Sequence, residues 1–176
     1  MDGVVIDNTA SKVKFARQLG LKLKAEQAQS DIIEKILPVH SLEQLRKLLY
    51  QHPVSALEAK TISGVKSGLA WLRKSGRQFF LISRRRAPEI ARQTLIKEGL
   101  WPTYFNETNA FFVQTPEEKN LKALELGVKI YLDDQPSVLE KLVDVPHRFL
   151  MDRFNLFQDV SHKRVSSWQE FISHLA

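Results

Sequence analysis

The sequence predicts an α/β fold, a Rossmann-like parallel sheet flanked by helices, on three observations. From residue 65 onward, short strand-like runs alternate with helical patterns. The runs are apolar throughout, as expected of strands covered by helices on both faces. They also end in informative residues, Ser83 after "FFLI" and Asp133 and Asp134 after "IYL". In open parallel sheets, ligands bind beyond the carboxyl ends of the strands.

The elements follow in order. "MDGVVIDNT" sets Asp, Gly and Asn around a β-branched run, the composition of a strand end entering a turn. Residues 10–60 read as helices throughout. "SKVKFARQLGL" gathers Val13, Phe15, Ala16 and Leu19 near one face, "SDIIEKIL" stops at Pro38, and "SLEQLRKLLY" repeats apolar residues at helical spacing. Ser30 is a candidate N-cap, and Ser41 with Gln44 is a second start signal. Next come a helix, "GVKSGLAWLRKSG", and a strand, "QFFLIS". The helix "APEIARQTLIKEG" has Pro88 in its first turn and Gly99 at its end. Strand "AFFV", helix "EEKNLKALELG", strand "VKIYLDD", helix "PSVLEKLV" and strand "HRFLM" complete the alternation. A last helix, "SSWQEFISHL", opens with Ser167 and Glu170 spaced as a capping box.

Composition narrows the function. The 176 residues are 43% hydrophobic and 26% charged, which is globular. They contain no Cys, excluding a disulfide framework, Cys-based zinc sites and a cysteine nucleophile. No apolar run approaches the ~18 residues of a membrane span and there is no signal-peptide pattern, so a cytoplasmic protein without membrane contact is expected. The net charge of +6 is uneven: residues 61–99 carry nine Lys/Arg against two Asp/Glu, while residues 100–176 carry eight against eleven. A basic face attracts nucleic acid, membranes or phosphorylated small molecules. Nucleic acid has no motif behind it here. The three Trp are too scattered for a base-stacking platform, and the five His show no metal-ligand spacing.

Taken singly, the candidate residues are weak signals. A Ser at a strand end is usually a cap or turn residue, and a lysine early in a helix is usually at the surface. Two adjacent carboxylates are stronger, because they repel unless solvent or a cation compensates. The order is what is specific. An Asp–Gly turn comes first, then Ser83 at a strand end, then Lys119, fourteen residues before the Asp133–Asp134 pair.

This order resembles the haloacid dehalogenase (HAD) superfamily over nearly the whole chain. "MDGVVIDNT" is similar to its first motif from the second motif position on, "FFLIS" to its second, Lys119 to its third and "IYLDD" to its fourth. The resemblance implies a HAD-like core in residues 1–9 and 61–176, with residues 10–60 as a small helical cap inserted after the first motif. It also implies a phosphomonoester hydrolase working through an aspartyl-phosphate, with a small phosphorylated substrate. Asp2 then corresponds to the acid/base that protonates the leaving oxygen and activates water. Mg2+ is the implied cofactor, held by Asp133, Asp134 and the backbone carbonyl of Asp2. Ser83 and Arg84 would bind the phosphate, and Lys119 would neutralise charge in the transition state. Arg85 and Arg86 are expected to be solvated residues opening a helix.

The family's first motif is Asp–x–Asp, with the nucleophile two residues before the acid/base. Counting back from Asp2 passes Met1 and leaves the sequence. Asp2 cannot shift into the role, because Val4 then falls at the acid/base position; Asp7 is followed by Thr9 at that spacing. The expectation is therefore a chain whose nucleophile, with its strand, lies before Met1. The alternative is a catalytically silent HAD-like module that binds a phospholigand or another protein. A phospho-receiver domain is excluded, because its acidic pair comes near the start of the chain.

Overall fold

The computed structural model describes residues 1–52, 57–85, 87–158 and 160–176. A tight turn opens the chain. Gly3, at φ +70°, donates to the Ile6 carbonyl at 2.9 Å, and Met1's carbonyl accepts from Val5 at 2.7 Å and Ile6 at 3.0 Å. The turn leads into β1 (Ile6–Asp7), which pairs antiparallel with β2 (Lys60–Thr61). Two-residue strands carry no periodicity, so the sequence did not reveal this pair, and Lys60 is a strand residue rather than the end of a helical stretch.

Between them lie α1 (Thr9–Gln18), a short 3-10 turn (Glu26–Ala28), α2 (Ser30–Ile36) and α3 (Val39–Tyr50). These helices bury a core of their own around Phe15, Ile33, Leu42, Leu45 and Leu49. The caps differ from expectation by one residue or more. Gln29, not Ser30, caps α2, its side chain accepting from Ile32 N–H. Pro38 opens α3 three residues before Ser41, because its fixed φ of −56° ends one helix and presets the next.

The second part alternates strand and helix as predicted: α4 (Val65–Lys74), β3 (Leu81–Arg84), α5 (Pro88–Lys97), β4 (Ala110–Val113), α6 (Pro116–Glu125), β5 (Ile130–Asp133), α7 (Pro136–Leu139), β6 (His147–Met151), β7 (Lys163–Val165) and α8 (Trp168–Ser173). β3 pairs with β4, and β5 with β6 and β6 with β7, all parallel. Helices cover the strands, as the fold class requires. α7 is shorter than its apolar pattern implies. Asn120 Nδ2 donates to Asp144 Oδ2 at 2.6 Å and accepts at Oδ1 from the Asp144 backbone N–H at 3.1 Å, tying the chain after α7 to α6. Ser167 accepts from Glu170 N–H at 3.2 Å, but the Glu170 carboxylate accepts from Ser166 instead of closing the box on Ser167. Among the described residues no helix is long and apolar enough to cross a membrane.

The sheet is interrupted in the middle. Among the described residues no strand pairs with the second edge of β3 or of β5. A cavity of ≈ 420 Å³ lies there, with Met1 at one end. Trp168 anchors the opening turn beside it, its indole N–H donating to the Val4 carbonyl at 2.8 Å.

Candidate active site

A cleft of ≈ 410 Å³ opens beyond the carboxyl ends of β3 and β5, under α2 and α3. Separate segments deliver its polar residues. The opening turn brings Asp2, β3 ends in Ser83 and Arg84, α6 presents Lys119, and β5 ends at Asp133 with Asp134 following. All six residues singled out from the sequence thus line one cleft. Residues 2 to 134 converge because parallel strands put all their carboxyl ends on one side.

Lys119 and Asp133 are both buried, and Lys119 Nζ donates to Asp133 Oδ2 at 2.7 Å. Lys119 sits on the inward face of α6, the fourth residue after cap Thr115, and is not the surface lysine its position alone suggested. Burial by itself would raise the Asp133 carboxyl; the Lys119 ammonium and the Met1 amino group outweigh it and hold it below the ordinary carboxylate range. Among the described residues no cation bonds directly to Asp134, which feels Lys12 and the Met1 amino group only at a distance. Burial, and then the Asp133 charge, push it up to about 7. Gly3 fits beneath it: a Cβ there would stand 2.1 Å from Asp134 Oδ2. Only glycine serves, for its positive φ and for this approach.

Asp2 and its partners correct one expectation. Arg85 is buried, not solvated, and its guanidinium pairs with Asp2 Oδ1 at 2.5 Å. Its guanidinium carbon lies 4.4 Å from the Tyr50 ring centre on α3. Alternation along an extended chain explains the exchange: Arg84 faces out at the rim, so Arg85 faces in. Arg86 lies outside the described residues. Asn8 donates a further hydrogen bond to Asp2.

Several site residues carried no sequence signal. Asp31 on α2 accepts from Gln135 Nε2 at 2.8 Å, Ser137 N–H at 2.9 Å and Ser137 Oγ at 2.7 Å, tying the helical part to the loop after Asp134. Gln29 donates to the Asp134 carbonyl. Lys12, buried on α1, donates to the Ala28 carbonyl at 2.7 Å, and its charge draws the Asp134 carboxyl back down. An Asp or Lys within a helical pattern reads as surface; only the fold shows which face is covered.

The donor set suits a hard divalent cation, which takes oxygen ligands and few of them from protein. Asp133 offers a buried carboxylate and Asp134 a half-buried one beside it, and a cation relieves their mutual repulsion. The Asp2 carbonyl stays out of the backbone hydrogen bonds of the turn, which run through Met1 and Ile6. Among the described residues no group of three His, Cys, Asp or Glu side chains converges as a metal cage.

Comparison with known proteins agrees on the architecture. No family model matches the chain, and no curated protein matches it in sequence. Solved structures do. A predicted phosphatase from Clostridium acetobutylicum superposes with a TM-score of 0.68 over 99% of this chain and 94% of that one, at 14% identity. A HAD family hydrolase from Deinococcus radiodurans R1, solved with bound phosphate and sodium, gives 0.64 over 99% and 93%, at 16% identity. The chain has the haloacid dehalogenase fold.

Proposed function

We propose that the cleft is the phosphoryl site of a Mg2+-dependent phosphomonoester hydrolase of the HAD type, acting on a small phosphorylated substrate in the cytoplasm. One observation carries this: Asp2, Ser83, Lys119, Asp133 and Asp134, from four separate segments, line a single cleft beyond the strand ends. The structurally similar proteins described as a predicted phosphatase and as a hydrolase with bound phosphate and sodium support the same class.

Each residue then has a task. Ser83 donates its hydroxyl to a phosphoryl oxygen, with Arg84 at the rim. Lys119 offsets the charge those oxygens gain as the ester bond breaks. Asp133, Asp134 and the Asp2 carbonyl would hold Mg2+, which supplies Lewis-acid shielding between anionic groups. The Asp2 side chain gives its proton to the leaving oxygen and then takes one from water. Arg85 and Asn8 orient its carboxyl group, and the Arg85 guanidinium suits the carboxylate form that takes the proton from water. In this mechanism the phosphoryl acceptor is an Asp two residues before the acid/base Asp2. The helices of residues 10–60 form a cap that supplies specificity.

Calorimetric titration with inorganic phosphate and Mg2+ tests the site. A Ser83→Ala, Lys119→Ala double variant that is folded by circular dichroism should lose at least tenfold in phosphate affinity. Unchanged affinity refutes this placement.

A further inference from the structure

We propose that Arg85 reads a carboxylate on the substrate, so that the cleft selects phosphorylated hydroxy acids over esters whose leaving group is a neutral alcohol or a nucleoside. This rests on the phosphoryl reading of the cleft and adds to it the class of ester that enters.

Arg85 lines the cleft as a buried cation that is incompletely used. Its side chain is 8% exposed, yet among the described residues its guanidinium makes a single hydrogen bond, from Nη2 to Asp2 Oδ1. Nε is buried and, among the described residues, has no acceptor. Nε–H and Nη2–H are the two arms of a fork whose spacing matches a carboxylate. Asp2 takes one arm and leaves the other empty. A buried donor without an acceptor is costly, and a second carboxylate is the group that satisfies it.

The fork stands on the leaving-group side. Asp2 protonates the leaving oxygen, so whatever is bonded to that oxygen lies beside Asp2 and hence beside Arg85. Ser83 and Arg85 are both buried and sit two positions apart on an extended chain, about 7 Å along the backbone. With the phosphoryl group on Ser83, a carboxylate one short carbon chain away comes within reach of the guanidinium.

The guanidinium is already positioned for this. Its backbone is held on both sides, Arg85 N–H donating to the Val113 carbonyl at 2.9 Å and the Arg85 carbonyl accepting from Gln114 Nε2 at 3.3 Å. The Tyr50 ring, 4.4 Å away, covers one face, so a ligand approaches in the guanidinium plane, the direction of two parallel hydrogen bonds. Asn8 also donates to Asp2 Oδ1, so Asp2 stays anchored when Arg85 turns its fork to the substrate. The rest of the cleft agrees. Among the described residues Tyr50 is its only aromatic lining, and with one face taken it offers a nucleobase no stacking platform. Apart from Asp2 and the acidic pair, Arg84 and Lys47 outnumber Glu43 in the lining, since Glu34 is engaged by Arg46.

Two esters of equal length decide the matter: 3-phosphoglycerate, and glycerol 3-phosphate, which has a hydroxymethyl group where the first has its carboxylate. Both are titrated calorimetrically into the 176-residue chain with Mg2+, beside inorganic phosphate. The wild-type chain should bind 3-phosphoglycerate at least tenfold more tightly than glycerol 3-phosphate. Arg85→Gln should bring the two within about twofold, and Arg85→Lys, which keeps the charge without the fork, should keep less than half of the preference. A merely structural Arg85 would weaken both esters alike and leave their ratio unchanged. Equal affinity of the two esters for the wild-type chain overturns the proposal, and so does a preference kept in full by either variant; inorganic phosphate binding in the same titrations would leave the phosphoryl reading standing. If neither ester nor inorganic phosphate binds, the phosphoryl reading falls and this one with it.

Discussion

Lys119 Nζ and Asp133 Oδ2 meet at 2.7 Å inside the protein, joining α6 to the end of β5. Breaking a buried pair by removing one partner strands the other charge, at a cost of about 3–5 kcal/mol. Lys119→Met should lower unfolding stability by about 3 kcal/mol in urea titration. Asp133→Asn should cost less, because an amide still accepts from the ammonium, and should weaken Mg2+ binding strongly. Equal Mg2+ affinity in wild type and Asp133→Asn would remove Asp133 from the metal site.

Asp134 should behave in the opposite sense. It stands half-buried beside Asp133, and among the described residues no cation pairs with it. Asp134→Asn should leave stability unchanged or raise it by up to about 1 kcal/mol, while Mg2+ affinity falls at least tenfold. A marked loss of stability would show that the carboxylate has a structural role instead.

Asp31 ties the helical part to the loop that carries the acidic pair through three hydrogen bonds. Asp31→Ala removes a buried acceptor whose donors, half-buried Gln135 and exposed Ser137, can turn to water, and should cost about 1 kcal/mol, with Mg2+ affinity reduced because the loop after Asp134 loses its support. Mg2+ affinity equal to wild type would show that the tie does not position the loop.

These contacts also mark how far the sequence could be read. The order of Asp2, Ser83, Lys119 and Asp133–Asp134 was legible because strand ends carry turn chemistry. The alternation after residue 65 was legible because buried parallel strands are uniformly apolar. Asp31, Gln135, Lys12 and Arg85 were not, because their importance comes from pairings across 83 to 106 residues of sequence in three of the four cases. Arg85 was misjudged because three consecutive arginines look alike until an extended backbone turns Arg85 inward.

Asp7 gives the pH response of the fold. Burial would raise its carboxyl, but Arg153, at 2.8 and 3.0 Å, and Thr9 bring it down from 3.8 to about 2. A depressed carboxylate contributes stability above its unfolded value of 3.8, and that contribution is lost as pH falls toward 2. Allowing for partial exposure, it is worth about 1 kcal/mol. Asp7→Asn should be less stable than wild type by that amount at pH 7 and equal to it below pH 2. A difference that persists at pH 2 would show that packing, not charge, holds this corner.

The most direct measurement compares two chains for Mg2+-dependent hydrolysis of an aryl phosphate. One is the 176-residue protein; the other carries about five apolar residues followed by an Asp joined to Met1, long enough at ~3.3 Å per residue to fill the interrupted sheet. The first should show no turnover. The second should hydrolyse the ester, and lose that activity when the added Asp is replaced by Asn. Turnover by the 176-residue chain that survives Asp2→Asn, after host phosphatases are removed, would contradict the placement of the phosphoryl acceptor before Asp2. So would an extended, folded chain with no activity.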